Sequence, residues 1–243
     1  MTEKIGVFSA KGGSGKTTTA LHLANAFQLL GKNVLLIDGD FRMPNLGAYF
    51  GVQMPLTLHD VLQGKKHITE AIYTYQQKLP IIFGSIHVND MHISSANFSR
   101  ILYGLDGLFD IIVVDSGSDF HDIVAGVDRC YVVTTPDMMS VVDALRTIRL
   151  IEYSGKGVDG VIVNKMREES ISLQNIVSIL GRPILGVIPE DISIQKALQE
   201  KSTVFLVSPN SEAALAYKRL ANGVSSVVKV NKLDSIFKFL GLK

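Results

Sequence analysis

The residues with the clearest chemical potential form one short loop, Ser9 to Thr18, which reads SAKGGSGKTT. An apolar run at 5–8 precedes the loop and a helical pattern at 19–30 follows it. This strand–loop–helix order is typical of a phosphate-binding loop, in which glycines let successive backbone N–H groups face an anion. The following helix adds its positive dipole end. The residues predicted to form this phosphate cradle are Lys11, Gly12, Gly13, Ser14, Gly15, Lys16, Thr17 and Thr18.

Two lysines in one loop suggest an unusual variant of this site. Lys16 can reach the outer phosphates of a nucleotide, and the hydroxyl of Thr17 can bind Mg²⁺. Lys11 is then a second cation where one already suffices. A glycine-rich surface turn is the alternative interpretation of the loop, and a solvated charge is the alternative for Lys11.

Acidic residues end two of the predicted strands. Asp38 and Asp40 follow the apolar run 34–37, and Asp115 ends the run 109–114. Open α/β sheets bind their ligands at the carboxyl ends of such strands. We therefore expect these carboxylates near the phosphates, where they could hold Mg²⁺ or orient water. For Asp40, an acidic turn that caps the next helix is the alternative.

Composition is that of an ordinary globular α/β protein. The chain has 243 residues, and its 24 basic and 23 acidic side chains give a net charge of +1, so charge offers no general argument for nucleic-acid binding. Cys130 is the single cysteine and lies in an apolar run, which excludes an internal disulfide. Because Met1–Lys4 leads directly into the first strand, we expect no signal peptide.

Strands alternate with helices along the chain, which predicts a doubly wound, mostly parallel sheet in one domain over residues 1–230. His87 and His92 are read as ordinary loop histidines. The further predicted strands are 79–83, 130–134, 160–163 and 183–187, and the further predicted helices are 57–62, 68–75, 141–152, 170–180, 192–199 and 211–228.

Residues 231–243 read as a separate amphipathic tail. Leu233, Ile236, Phe237 and Leu240 share one face of a helix. Such a helix is too short to cross a bilayer but could lie at a membrane surface. Docking of the tail on the domain's own core is the alternative.

The loop form Lys-Gly-Gly-x-Gly-Lys-Thr-Thr resembles the deviant Walker A loop of the MinD/ParA family of ATPases. Residues 133–146 and 188–191 resemble MinD in particular, and residues 55–73 are similar to MinD-type proteins of archaeal type. The resemblance implies a P-loop NTPase fold of the SIMIBI class. It implies that Lys11 reaches the partner's nucleotide in a dimer and that Asp40 orients water. Asp115 would hold Mg²⁺ through a water, with Asp38 and Thr17 beside it.

The base of the nucleotide is assigned to the ends of two later predicted strands. Asn164 ends a strand and offers both a donor and an acceptor, which suits an adenine edge. By resemblance Pro189 and Asp191 flank the adenine or ribose. Asp191 also stands where it can cap the helix 192–199.

The segment after Asp115 departs from the family pattern. The family's proline is Gly117 here, and its glycine is Asp119. An aspartate at this position brings negative charge towards the γ-phosphate, so we expect slow hydrolysis.

The resemblance implies a MinD-like ATPase that binds Mg²⁺ and ATP and forms a homodimer. It would be cytoplasmic, associate peripherally with membrane through 233–243 when ATP is bound, and position another structure such as the division site through an unidentified regulatory or client protein. We expect no nucleic-acid partner. The alternatives are a nucleotide-binding scaffold with little turnover, a ParA-type segregation ATPase, and a metal-cluster ATPase, which would need paired cysteines.

Overall fold

A computed structural model describes residues 2–75, 78–85 and 95–223. Its strands, named in chain order, are β1 (Glu3–Phe8), β2 (Val34–Gly39), β3 (Tyr73–Tyr75), β4 (Leu79–Ile82), β5 (Ile111–Ser116), β6 (Arg129–Thr134), β7 (Gly160–Met166) and β8 (Ile184–Pro189). Its helices are α1 (Lys16–Leu29), α2 (Leu46–Phe50), α3 (Leu58–Leu62), α4 (Ser95–Tyr103), α5 (His121–Val124), α6 (Met138–Tyr153), α7 (Leu173–Leu180), α8 (Ile192–Gln199), α9 (Val204–Val207) and α10 (Glu212–Ala221).

The strands form one sheet in the order β3-β4-β2-β5-β1-β6-β7-β8. Every neighbouring pair is parallel except the antiparallel edge pair β3–β4. The predicted doubly wound, mostly parallel sheet is therefore confirmed.

Helices cover both faces of the sheet and bury the strands between them. Leu35 and Ile37 of β2 pack into the core on one face, while Val34 and Leu36 pack into the core on the other. A strand buried on both faces has apolar residues at every position, which is why these strands appear in the sequence as continuous apolar runs.

Local signals explain several boundaries. Gly31 and Gly181 adopt left-handed φ angles of 82° and 62° at the ends of α1 and α7, where a residue with a side chain would be strained. Asp191 accepts a hydrogen bond from the Ser193 N–H at the start of α8, so the predicted cap is confirmed.

One predicted helix is wrong, and others differ in length. Residues 68–75, expected as a helix, form a 3₁₀ turn at Ile68–Ala71 followed by strand β3. Aromatic Tyr73 and Tyr75 suit a strand, and pairing with β4 satisfies their backbone groups. The last helix is described only to Ala221. His87, His92 and the tail 231–243 lie outside the described residues.

Candidate nucleotide site

The phosphate-binding loop joins β1 to α1, as predicted. Gly13 and Gly15 have φ angles of 79° and 88°, in the left-handed region that L side chains rarely adopt. A Cβ on Gly15 would lie 2.0 Å from Nδ2 of Asn164. Both the backbone angle and the available space therefore require glycine at position 15.

Two residues at the end of β7 hold this loop by hydrogen bonds to its backbone carbonyls. The Asn164 amide donates to the Ser14 carbonyl at 2.9 Å, and the Lys165 ammonium donates to the Gly13 carbonyl at 3.0 Å. Asn164 thus lies in the site beside the loop, while its contact with adenine stays a prediction. Lys165 was missed by the sequence analysis; its position next to Asn164 was the only available signal.

A cavity of about 790 Å³ opens over the loop. It brings together the predicted loop residues, Asp40, Asn164, Pro189 and Asp191. Two tyrosines that the sequence analysis did not single out, Tyr49 and Tyr217, also line it. The predicted phosphate and base residues therefore share one cavity of a size that suits a nucleotide.

Asp191 caps α8 as predicted and also lines the cavity, while its contact with adenine or ribose stays a prediction. Its carboxylate lines the cavity and accepts from the N–H groups of Ser193 at 2.8 Å and Ala213 at 3.1 Å. Partial burial of Asp191 opposes ionisation, but the hydrogen bonds from Ser193 and Ala213 lower its pKa overall. This carboxylate therefore joins the starts of α8 and α10 at the cavity wall.

Asp115 has the environment expected of a cation ligand. It is fully buried, and neither carboxylate oxygen has a hydrogen-bond partner among the described residues. Burial raises its pKa to about 6, although the charge of Lys16 and the nearby Thr17 hydroxyl, which does not meet hydrogen-bond geometry with either oxygen, act in the opposite direction. A buried carboxylate without partners is costly, and a bound divalent cation would remove that cost.

Asp38 lies opposite Asp115 on the neighbouring strand and has a different environment. One oxygen accepts from the Leu46 N–H at 2.9 Å and the other from the Asp40 N–H at 3.4 Å. Burial and then the charge of Asp115 raise the pKa of Asp38 well above its usual range. Asp38 therefore organises the following turn, and its role as a metal ligand stays a prediction.

Asp40 begins the loop between β2 and α2, which we call switch I (residues 40–45). Its Oδ1 accepts from the N–H groups of Arg42 at 3.2 Å and Met43 at 2.9 Å. The carboxylate is thus fixed at the edge of the nucleotide cavity. This geometry fits the predicted role of Asp40 in orienting water.

Lys11 lies against the first turn of α6 of its own chain. Its ammonium donates to the Ser140 hydroxyl at 2.7 Å and lies 3.6 Å from the Asp137 carboxylate. Partial burial opposes ionisation of Asp137, but hydrogen bonds from Ser140 and Thr135, and the charge of Lys11, lower its pKa well below the usual range. A role across a dimer would require Lys11 to exchange these contacts for phosphate.

The two departures in the segment after Asp115, which we call switch II (residues 116–120), both contact switch I. A Cβ on Gly117 would lie 2.7 Å from Oδ1 of Asp40, so glycine makes room for that carboxylate. The Asp119 carboxylate forms an ion pair with Arg42 at 2.8 Å. Each unusual residue of switch II thus faces a charged residue of switch I: Gly117 makes room for Asp40, and Asp119 pairs with Arg42.

The fold and the loop define the class of this chain as a P-loop nucleotide-binding protein. Residues 5–204 match the CobQ/CobB/MinD/ParA nucleotide binding domain, and the chain belongs to this family. It is 32% identical to an uncharacterized ATP-binding protein of Methanocaldococcus jannaschii, over 99% of this chain and 96% of the relative. It is 31% identical to the septum site-determining protein MinD of a Synechocystis species, over 91% of this chain and 88% of the relative.

A solved structure agrees with this assignment. The septum site-determining protein MinD of Pyrococcus horikoshii, complexed with Mg-ADP, superposes with a TM-score of 0.82 at 30% sequence identity. The match covers 93% of this chain and 97% of that chain. The predicted P-loop fold and the resemblance to MinD are therefore confirmed.

Proposed function

We propose that this protein is a Mg²⁺-dependent ATPase whose ATP-bound form is a dimer. The observation that carries the proposal is that Lys16 and Thr17 of the two-lysine phosphate loop act on the buried carboxylate of Asp115, whose oxygens have no hydrogen-bond partner among the described residues. The reaction is attack of water on the γ-phosphate of ATP, which gives ADP and phosphate.

Binding divides between the two ends of the cavity. Backbone N–H groups of the loop and the ammonium of Lys16 hold the phosphates. Thr17, Asp38 and Asp115 hold Mg²⁺, which when bound neutralises charge on the phosphate oxygens. Asn164, Pro189 and Asp191 contact the adenine or ribose, a role supported by their position in the cavity wall.

Hydrolysis depends on Asp40 and the two lysines. Asp40 orients the attacking water, while Lys16 and the partner's Lys11 stabilise the charge that develops during phosphoryl transfer. Lys11 leaves Asp137 and Ser140 to do so. Both residues are at the start of α6, and the ion pair of Lys11 with Asp137 is partly exposed and therefore inexpensive to break.

Turnover is slow because Asp119 keeps an acidic group close to the site. Its pairing with Arg42 offsets part of that charge. The same observation favours a second candidate function, in which the protein binds ATP and dimerises but acts as a scaffold with negligible turnover.

The protein positions another structure within the cell. We assign residues 1–230 to the ATPase domain and 231–243 to a tail that binds membrane. Two tails on one dimer bind more tightly than one through effective concentration. The ATP-bound dimer therefore associates with the membrane and positions an unidentified client. No helix within the described ranges is long and apolar enough to span a bilayer.

Steady-state phosphate release separates the ATPase from the scaffold. We expect slow Mg²⁺-dependent release from the wild type, none from Lys16→Ala, and at least a tenfold reduction in Lys11→Ala with ATP still bound. Tight ATP binding without phosphate release by the wild type would favour the scaffold. Loss of ATP binding in the wild type would contradict both functions.

Co-sedimentation with anionic liposomes tests the membrane step. We expect the full chain to sediment with ATP and to remain in solution with ADP. A chain ending at Lys232 is the matched control and should remain in solution with either nucleotide. Equal sedimentation with ATP and ADP would contradict nucleotide control of membrane binding.

A further inference from the structure

His59 connects the end of β4 to switch I. It lies in the first turn of α3 and is only 7% exposed. Its Nδ1 lies 3.0 Å from the Ser85 N–H, and its Nε2 lies 3.0 Å from the Phe41 carbonyl. Phe41 is the residue that directly follows Asp40. A single imidazole therefore joins two segments at the phosphate end of the sheet.

These two contacts define the tautomer of the imidazole. A backbone N–H can only donate, so Nδ1 must present its lone pair to Ser85. The proton of the neutral ring is then on Nε2, from which it is donated to the Phe41 carbonyl. The Nε2 side of the ring is thus the side that holds switch I.

The start of α3, which carries His59, is itself fixed. The Leu58 N–H donates to the Phe83 carbonyl at 2.8 Å, which attaches the start of α3 to the end of β4. Oδ2 of Asp60 accepts from both the N–H and the hydroxyl of Thr57, each at 2.9 Å. The imidazole therefore holds switch I from a helix start that is anchored to the sheet.

The ring of Phe41 adds a second attachment at the same point. Its centroid lies 5.5 Å from that of Phe98 in an edge-on arrangement, and 6.3 Å from that of His59. With its carbonyl and its ring both held, the backbone of Phe41 has little freedom. The adjacent Asp40 carboxylate accepts hydrogen bonds from the N–H groups of Arg42 and Met43, and its position is therefore fixed together with that of Phe41.

We propose that His59 is a positioning residue for ATP hydrolysis, which sets the place of Asp40 through the hydrogen bond from Nε2 to the Phe41 carbonyl. The inference rests on the proposed role of Asp40 in orienting water. His59 does not line the nucleotide cavity, so it acts on the reaction through switch I and leaves nucleotide affinity unchanged.

Three substitutions separate the two sides of the ring. His59→Gln keeps an N–H donor near the Nε2 position, His59→Asn keeps an acceptor near the Nδ1 position, and His59→Phe keeps only the ring. We expect His59→Gln to retain kcat within about twofold. We expect His59→Asn and His59→Phe to lower kcat about tenfold, with KM for ATP unchanged, because a small displacement of a positioning group slows reaction more than binding.

Hydrogen exchange of the nucleotide-free protein provides a readout that needs no ATPase activity. Amides of residues 40–46 should exchange about three- to tenfold faster in His59→Asn and His59→Phe, the effect of losing one net hydrogen bond. His59→Gln should match the wild type. This pattern would support the attachment of switch I by His59 whether or not the wild type hydrolyses ATP. A wild type that released no phosphate would contradict the proposed ATPase.

Two results would overturn the inference. One is equal acceleration of exchange in the Asn and Gln variants, or acceleration that includes α3 and β4 to the same extent, since either would indicate a purely structural role. The other is an active wild type whose kcat is unchanged by His59→Asn despite faster exchange in switch I.

Discussion

Substitution of Gly117 by alanine tests whether the unusual switch II accommodates Asp40. The added Cβ would lie 2.7 Å from Oδ1 and 2.9 Å from Cγ of Asp40, whereas ordinary contact begins near 3.4 Å. The carboxylate must therefore move by about 0.7 Å, the difference between 3.4 and 2.7 Å. It cannot do so freely, because Oδ1 is held by the N–H groups of Arg42 and Met43.

The magnitude follows from those two hydrogen bonds. Each bond to a charged acceptor contributes about 1.5–3 kcal/mol, and the shift weakens at least one of them. A displacement of this size at a group that orients water costs about ten- to a hundredfold in rate. We therefore expect Gly117→Ala to lower kcat by that factor, with the affinity for Mg·ATP within twofold of the wild type.

Phosphate release gives kcat, and titration calorimetry gives the affinity. Gly157→Ala is the matched control, because a Cβ on Gly157 has nothing within 4 Å and its φ needs no glycine. An unchanged kcat in Gly117→Ala would contradict the expected displacement of Asp40. So would an equal loss of kcat in the control.

Three other predictions concern charge. Asp115→Asn should stabilise the nucleotide-free fold by about 1–3 kcal/mol at pH 7, since burial raises the Asp115 pKa to about 6, yet remove Mg²⁺-dependent ATP affinity; urea unfolding and calorimetry measure the two effects. Burial lowers the pKa of His22 from 6.5 to about 4, so the unfolded chain takes up a proton below pH 6.5 that the folded chain excludes. The contribution of His22 to the free energy of unfolding is therefore complete above pH 6.5 and is lost as pH falls towards 4. Urea unfolding at pH 7 and 4.5 should show a loss about 2–3 kcal/mol larger in the wild type than in His22→Gln. Arg42 and Asp119 are 77% and 50% exposed, so a double-mutant cycle on stability should give a coupling below about 1 kcal/mol.

Local sequence was sufficient for the parts of the site that are themselves local. The phosphate loop needs only a strand, a glycine-rich turn and a helix in succession, and the structure has all three at the predicted residues. The acidic residues at strand ends could be predicted equally well, because parallel strands place their carboxyl ends at one edge of the sheet.

Contacts between distant segments could not be predicted in this way. Lys165 and Tyr217 reach the cavity from far along the chain. Lys165 had only its neighbour Asn164 as a signal, and nothing near Tyr217 in the sequence indicates its position. Gly117 appeared in the sequence as a departure that weakens the site. Its close approach to Asp40 becomes evident only when β2 and β5 are adjacent.

The edge of the sheet was also beyond local pattern. The three-residue strand β3 follows a 3₁₀ turn and forms only because β4 offers an unpaired edge. A helical interpretation of residues 68–75 was wrong because it could not include that partner.

We propose that ATP joins two copies of this chain through Lys11. Light scattering coupled to size exclusion tests it most directly, with Asp40→Ala used to prevent turnover. We expect twice the monomer mass with Mg·ATP and the monomer mass with Mg·ADP. The Lys11→Ala, Asp40→Ala double variant should have the monomer mass with either nucleotide. The same mass with ATP and ADP, or an ATP-dependent dimer that persists without the Lys11 side chain, would contradict it.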